Sequence, residues 1–291
     1  MLMRSRMKKI FLIFNGSRPI GHIVSSAVEI ARVDNALLHA VFLMPVAYKP
    51  VPEFPFVTDQ LFSGTTSGRY VEQENEVALE NNIRMFKDAC SAVNVAYKLS
   101  TGKNISLGQL IQHSVYSDLI IADTRTDFPE TTLLPHIFSF NDLLAGAHCP
   151  ILLFQNEMKK PDQIILCYDG SVASMYALKM FSYLFPEWRS VPTCLLYVFA
   201  KKKMQSEYKE NIVDWLVRHF TRPESDLIKG DIKKELVTFV NNSGNNTLVV
   251  MGAYGRATAS RLFRKTLSDK IVEETKAALF IAHEPEENVK M

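Results

Sequence analysis

The chain states one pattern twice. IFLIFNGS at residues 10–17 returns as IILCYDGS at 164–171, DLIIAD at 118–123 returns as TLVVMG at 247–252, and PILLF at 150–154 returns as ALFIA at 278–282. The first pair is offset by 154 positions and the second by 129, so the first copy carries 25 extra residues between them. Their place is visible as MPVAYKPVPEFPFVTDQLFSGTTSG, residues 44–68, a Pro-rich aperiodic stretch that reads as a long loop or lid. QNEMKKPDQ, residues 155–163, is polar, contains a proline and lies between the copies. It places a domain boundary there, with domains at 1–157 and 158–291. The total of 291 residues gives each unit enough chain for its own core.

Inside each copy, short runs that are apolar throughout alternate with amphipathic stretches. In the second copy the spacing predicts strands at 163–168, 193–199, 226–229, 247–251 and 278–282. Helices are predicted at 174–185, 206–219, 231–241 and 267–275. Strands without a polar face, separated by helices, imply a parallel sheet covered on both sides. Ser17 and Ser171 each follow a strand-ending Gly and are expected to cap the next helix, with Pro19 in the first turn. The fold class is therefore α/β: two doubly wound five-stranded parallel-sheet domains in tandem, a Rossmann-like arrangement. Ligands of such sheets bind at the carboxyl ends of the strands, near the switch point.

A formal net charge of +2 gives no support to a nucleic-acid or membrane-surface role, and Lys201, Lys202 and Lys203 read as a solvated turn. Cys90, Cys149, Cys167 and Cys194 form no CxxC pair, which fits a reducing compartment and argues against zinc. The apolar run at 10–14 is too short for a signal-peptide core. No stretch is long enough to span a bilayer, and a cytoplasmic location is expected.

The glycine loop after residue 251 is not a phosphate-binding Walker A motif, since Ala259 and Arg264 stand where that motif needs glycine. No G-x-G-x-x-G run occurs either. The loop has Gly252-x-x-Gly255, nine further residues and then Lys265-Thr266. A strand turning through glycines into a helix is nevertheless a geometry that gathers backbone N–H groups on an anion. The remaining signals are local. No histidines are spaced as metal ligands, and His148 reads as a local hydrogen-bonding residue. There is no nucleophile elbow, so Ser171 reads as a cap. Trp188 and Trp215 read as packing residues. Phe54, Phe56 and Phe62 of the insert are candidates to cover a groove or an interface.

YDGS after the first strand of copy two, LLYVF in the second, KGD after the third, VVMGAYGR at the fourth and the closing AALFIAHEP together resemble a tandem universal stress protein, a fold of the adenine nucleotide alpha hydrolase-like type. The resemblance implies an adenine-nucleotide site in the C-terminal domain. Asp169 matches the acid that contacts adenine or ribose, flanked by Tyr168 and Gly170, and Val198 matches the position whose backbone reads the adenine edge. Gly252 and Gly255 match phosphate-loop glycines, with Tyr254 and Arg256 beside them and Arg261 and Arg264 close by. Thr266, followed by Leu267, takes the hydroxyl position, and Lys265 stands where the third glycine is expected. In copy one, Asp123, Thr126 and His136 replace the three glycines and Asn15 replaces the acid. Asp127 adds a second carboxylate and Pro129 stiffens the loop, so that half is not expected to bind ATP in the family's manner. Its expected roles are docking against copy two, or binding something else under the insert.

The implied function is a stress-response and ligand-sensing module taking ATP, with Mg²⁺, or another adenine nucleotide, rather than a turnover enzyme. A nucleotide-free scaffold or dimerisation module and a slow ATPase stay open. By the same resemblance the last strands, 151–154 and 279–282, pair across a pseudo-twofold to make an intramolecular pseudo-dimer, and a homodimer of the whole chain is left open.

Overall fold

The computed structural model describes residues 8–44, 65–102, 105–123, 140–199, 206–252 and 274–283. The first half contains β1 (Lys9–Asn15), α1 (Gly21–Asp34), β2 (Leu37–Leu43), α2 (Thr65–Ala92), β3 (Tyr97–Gly102), α3 (Leu107–Val115), β4 (Leu119–Asp123), α4 (Phe140–Gly146) and β5 (Ile151–Phe154). The second contains β6 (Gln163–Cys167), α5 (Val172–Leu184), β7 (Thr193–Phe199), α6 (Ser206–His219), β8 (Pro223–Lys229), α7 (Ile232–Asn242), β9 (Thr247–Gly252) and β10 (Ala278–Ala282). A 3₁₀ turn, Pro186–Trp188, follows α5.

The strands form one ten-stranded sheet in the order β3-β2-β1-β4-β5-β10-β9-β6-β7-β8. Neighbours within each half run parallel. The seam between halves is antiparallel, with Leu279 opposite Leu153, Phe280 opposite Leu152 and Ile281 opposite Ile151. The central strands lack a polar face because both of their faces are covered. In β1, Ile10, Leu12 and Phe14 pack on the side of α1 and α2, while Phe11 and Ile13 pack on the side of α3 and α4. Each of these two cores takes residues from both halves, so both run through the seam. The outer edges are blunted. Exposed Glu224, Asp226 and Lys229 follow Pro223 on β8, and Lys98 is exposed on β3, features that discourage pairing with another chain.

Local chemistry explains most element boundaries. Ser171 caps α5, its Oγ accepting from the Ser174 N–H at 3.1 Å, as the sequence predicts. Ser106 and Gln109 form a reciprocal capping box on α3. The expected cap at Ser17 is not made. The residue before a proline avoids the helical region, so Pro19 delays the helix and α1 begins at Gly21 with Ile20 at its cap position and no side-chain cap. Two other boundaries differ from expectation by three residues or more. Thr65–Gly68, assigned to the insert, are the first residues of the 28-residue α2, and β8 begins at Pro223 rather than 226. The rest of the insert beyond Met44 lies outside the described residues.

The halves are tied at a junction built on Lys8. Its Nζ sits 2.6 Å from Asp34 Oδ2, donates to the Leu184 carbonyl of the second half, and lies 5.7 Å from the centre of the Phe185 ring. The connecting segment is pinned to both halves: the Met158 N–H donates to Ser26 Oγ at 2.8 Å, and Asn246 Nδ2 donates to the Lys160 carbonyl at 3.0 Å.

His39 on β2 makes stability depend on pH. It is 3% exposed, with Nε2 2.9 Å from Ser100 Oγ and its ring against Phe11 and His113. Burial first, then the charges of His113, Lys9 and Lys98, push its pKa down to about 4, below the ~6.5 of an unfolded chain. Between those values the unfolded state binds the extra proton, so stability is full above about pH 6.5 and falls as pH drops toward 4. The expected loss is on the order of 2–3 kcal/mol, read as a lower urea midpoint at pH 4.5 than at pH 7. His39→Leu should flatten that difference.

Candidate functional site

The carboxyl ends of β6, β7 and β9 meet the start of α7 around one cleft in the second half. Its wall is apolar, with Leu196 and Val198 from β7, Met251 from β9, and Ile232 and Leu236 from α7. Tyr168, Asp169, Ser174 and Gly252 complete the rim beside Cys167. The cleft measures about 110 Å³, below the ~300–1,000 Å³ of a site that encloses a drug-sized ligand. The part of the cleft formed by the described residues is of a size for a flat ring.

Asp169 is fixed by the turn it starts: its Oδ1 accepts from the Ser171 N–H at 2.9 Å, while Gly170, at φ +80°, makes the reversal that a side chain would strain. Burial, with Asp169 second, pushes the Cys167 thiol up to about 12, so it sits in the cleft as a neutral thiol and not as a nucleophile. Burial and then Asp169 also raise the neighbouring Tyr197 phenol. The arrangement can hold an apolar ring edge-on to the strands and offer a carboxylate to hydroxyl donors. Among the described residues, no group of three or more His, Cys, Asp or Glu side chains is placed to hold a metal ion.

Gly252 has a packing reason to be glycine. A Cβ there would stand 2.5 Å from the Ala173 carbonyl oxygen and 2.8 Å from the Ser174 nitrogen, so the first turn of α5 rests directly on the tip of β9. Of the eleven candidate residues read from the sequence, Tyr168, Asp169, Val198 and Gly252 line the cleft, and Gly170 forms the adjoining turn. Tyr254, Gly255, Arg256, Lys265, Thr266 and Leu267 lie outside the described residues. Sequence reasoning missed Ser174, Leu196, Met251 and the α7 pair Ile232 and Leu236. The i, i+4 spacing of that pair, just past the Asp231 cap, was the available signal.

The corresponding place in the first half is built differently. Asn15 copies the turn of Asp169, its Oδ1 accepting from the Ser17 N–H at 3.0 Å. Because α1 starts late, β4 has space at its tip for a side chain, and Asp123 occupies it with His22 Nε2 at 2.7 Å from its Oδ2. A Cβ on Gly16 would meet Leu79 at 2.9 Å and Met44 at 3.0 Å, and Asn82 of α2 donates to the Gly16 and Arg18 carbonyls at 2.8 Å each. Protein side chains therefore close over this turn. Thr126, Asp127, Pro129 and His136 lie outside the described residues.

No protein-family model and no curated protein matches the sequence. Solved structures do match the fold. A universal stress protein from Archaeoglobus fulgidus DSM 4304 is similar at a TM-score of 0.67 and 11% identity, over 97% of this chain and 98% of that one. A functionally unknown protein from Pseudomonas aeruginosa PAO1 is similar at a TM-score of 0.56 and 13% identity, over 96% of this chain and 92% of that one. The chain carries the universal stress protein fold along nearly its whole length. No helix among the described residues is long and apolar enough to cross a membrane.

Proposed function

We propose that this chain is a ligand-sensing protein of the universal stress type, and that its second half alone binds an adenine nucleotide. The observation that supports this reading is the second-half cleft, where Asp169, Val198 and Gly252, distant in sequence, line one apolar pocket at the strand tips. Adenine would lie against Leu196, Val198, Ile232, Leu236 and Met251, and Asp169 would accept from ribose hydroxyls. Gly255, Arg256, Lys265 and Thr266 are assigned the phosphates, and with them Mg²⁺, on sequence alone. The first half would serve as the docking partner, its turn being closed by Leu79 and Met44. The antiparallel seam supports reading the two halves, 1–157 and 158–291, as an intramolecular pseudo-dimer.

Thermal denaturation with ATP and Mg²⁺ tests the reading. A ligand at 100 times its Kd stabilises the native state by about 2.7 kcal/mol, which gives a clear upward shift in Tm. Asp169→Asn keeps the turn, since an amide oxygen still accepts from the Ser171 N–H, but removes the charged acceptor; it should weaken nucleotide binding at least tenfold. Asn15→Ala in the first half should leave nucleotide binding unchanged. Absence of any shift with ATP, ADP or AMP, or an unaltered shift in Asp169→Asn, would defeat the proposal. Phosphate release from the bound nucleotide would instead mark a slow ATPase.

A further inference from the structure

A second cavity lies far from the strand tips, at the junction of the halves. It measures about 310 Å³, within the size range of small-molecule sites, which favour domain interfaces. Its apolar surface comes from Ile30 and Val33 of α1, Met158 of the connecting segment and Trp188 of the 3₁₀ turn. Val33 is 49% exposed, a large aliphatic side chain left facing this groove. The walls are rigid: Met158 is tied to Ser26, and Trp188 stacks on Phe185 with ring centres 4.2 Å apart.

Four charged residues border the groove. Glu29 holds Arg32 through two bonds of 2.7 and 2.9 Å. Lys159 lies 3.6 Å from the Glu157 carboxylate, and Lys160 Nζ donates to Ser190 Oγ at 3.5 Å. Glu187 is the fourth. Its carboxylate takes its own backbone N–H, and the cation that acts on it, Lys8, is bound to Asp34 and the Leu184 carbonyl. Burial, with Asp34 adding to it, holds the Glu187 carboxyl above the usual range, and a cation brought beside it would favour its charged form.

We propose that this junction groove binds a small organic amine, its ammonium on Glu187 and its apolar body against Trp188, Ile30 and Val33. An anion would meet the carboxylates of Glu29 and Glu187 on the groove wall. A neutral apolar molecule would leave Glu187 unsatisfied. A bound amine would touch α1 of one half and the 3₁₀ turn of the other, and so would stiffen the junction.

The proposal is independent of the nucleotide reading and is tested separately from it. The chain has two tryptophans, so Trp215→Phe leaves Trp188 as the sole indole reporter on the groove wall. Titration with 2-phenylethylamine should give a saturable change in Trp188 emission. The isosteric alcohol 2-phenylethanol, and the amine titrated into Glu187→Gln, should each bind at least tenfold more weakly, and phenylacetate should not bind. Calorimetry on the unmodified chain should rank the three probes in the same order. Equal affinity in Glu187→Gln, phenylacetate binding as tightly as the amine, or no saturable change would overturn the proposal. ATP failing to bind would leave these outcomes unchanged.

Discussion

Lys8→Ala lowers the stability of the chain by about 3–5 kcal/mol, the cost of removing one member of a buried ion pair. The side chains of Lys8 and Asp34 are 9% and 10% exposed, too dry for solvent to screen the remaining carboxylate. Asp34 is also the last residue of α1, where the helix dipole disfavours an anion, and Lys8 offsets that as well. The substitution further strips the Leu184 carbonyl of its donor across the junction. Urea denaturation should show a lower midpoint, and the double variant Lys8→Met, Asp34→Leu should recover most of the loss, since a packed apolar pair of similar volume can replace a buried ion pair at little cost. A single-variant loss under about 1 kcal/mol, the range of exposed pairs, would show that the clasp contributes nothing of this kind.

The second large effect is expected at the seam. Phe280 is fully buried, faces Leu152 across the antiparallel pairing, and lies 5.3 Å from the Phe181 ring and 6.0 Å from Phe185. Phe280→Ala should cost about 3–5 kcal/mol, from lost transfer energy and the cavity left behind. Because the cores run through the seam, the damage should reach both halves. Amide exchange should speed up in β4 and β5 as well as in β9. If only second-half amides respond, the two halves are energetically separate despite sharing a sheet.

These two residues were unequally visible in the sequence. The closing strand was legible because a strand buried on both faces reads as an unbroken apolar run, and the duplication supplied each run twice. Ser171 was legible as a cap because the helix starts directly after it. Ser17 sits in the same local sequence and fails, because Pro19 two residues later moves the helix start. That shift also explains the site difference. Gly252 is required where α5 presses on β9, whereas Asp123 is allowed where α1 stands off. A loop-motif reading assigns both positions to ligand chemistry and cannot see the helix that touches one of them. Lys8 was not legible, since nothing local announces a partner on α1 and another on α5. Of the candidate site, the turn at Asp169 and the tip residues Val198 and Gly252 were legible, while the α7 wall was missed, because an i, i+4 apolar pair is also the spacing of any core-facing helix.

The antiparallel seam has a consequence for how such a chain changes over generations. It sets the strands of one half running against those of the other, so their carboxyl ends point to opposite poles of the molecule. A substitution at one pole meets no atom of the other, and selection can act on each alone. Only the shared middle is constrained from both sides. On this plan the two poles can diverge in sequence separately while the seam between them is held.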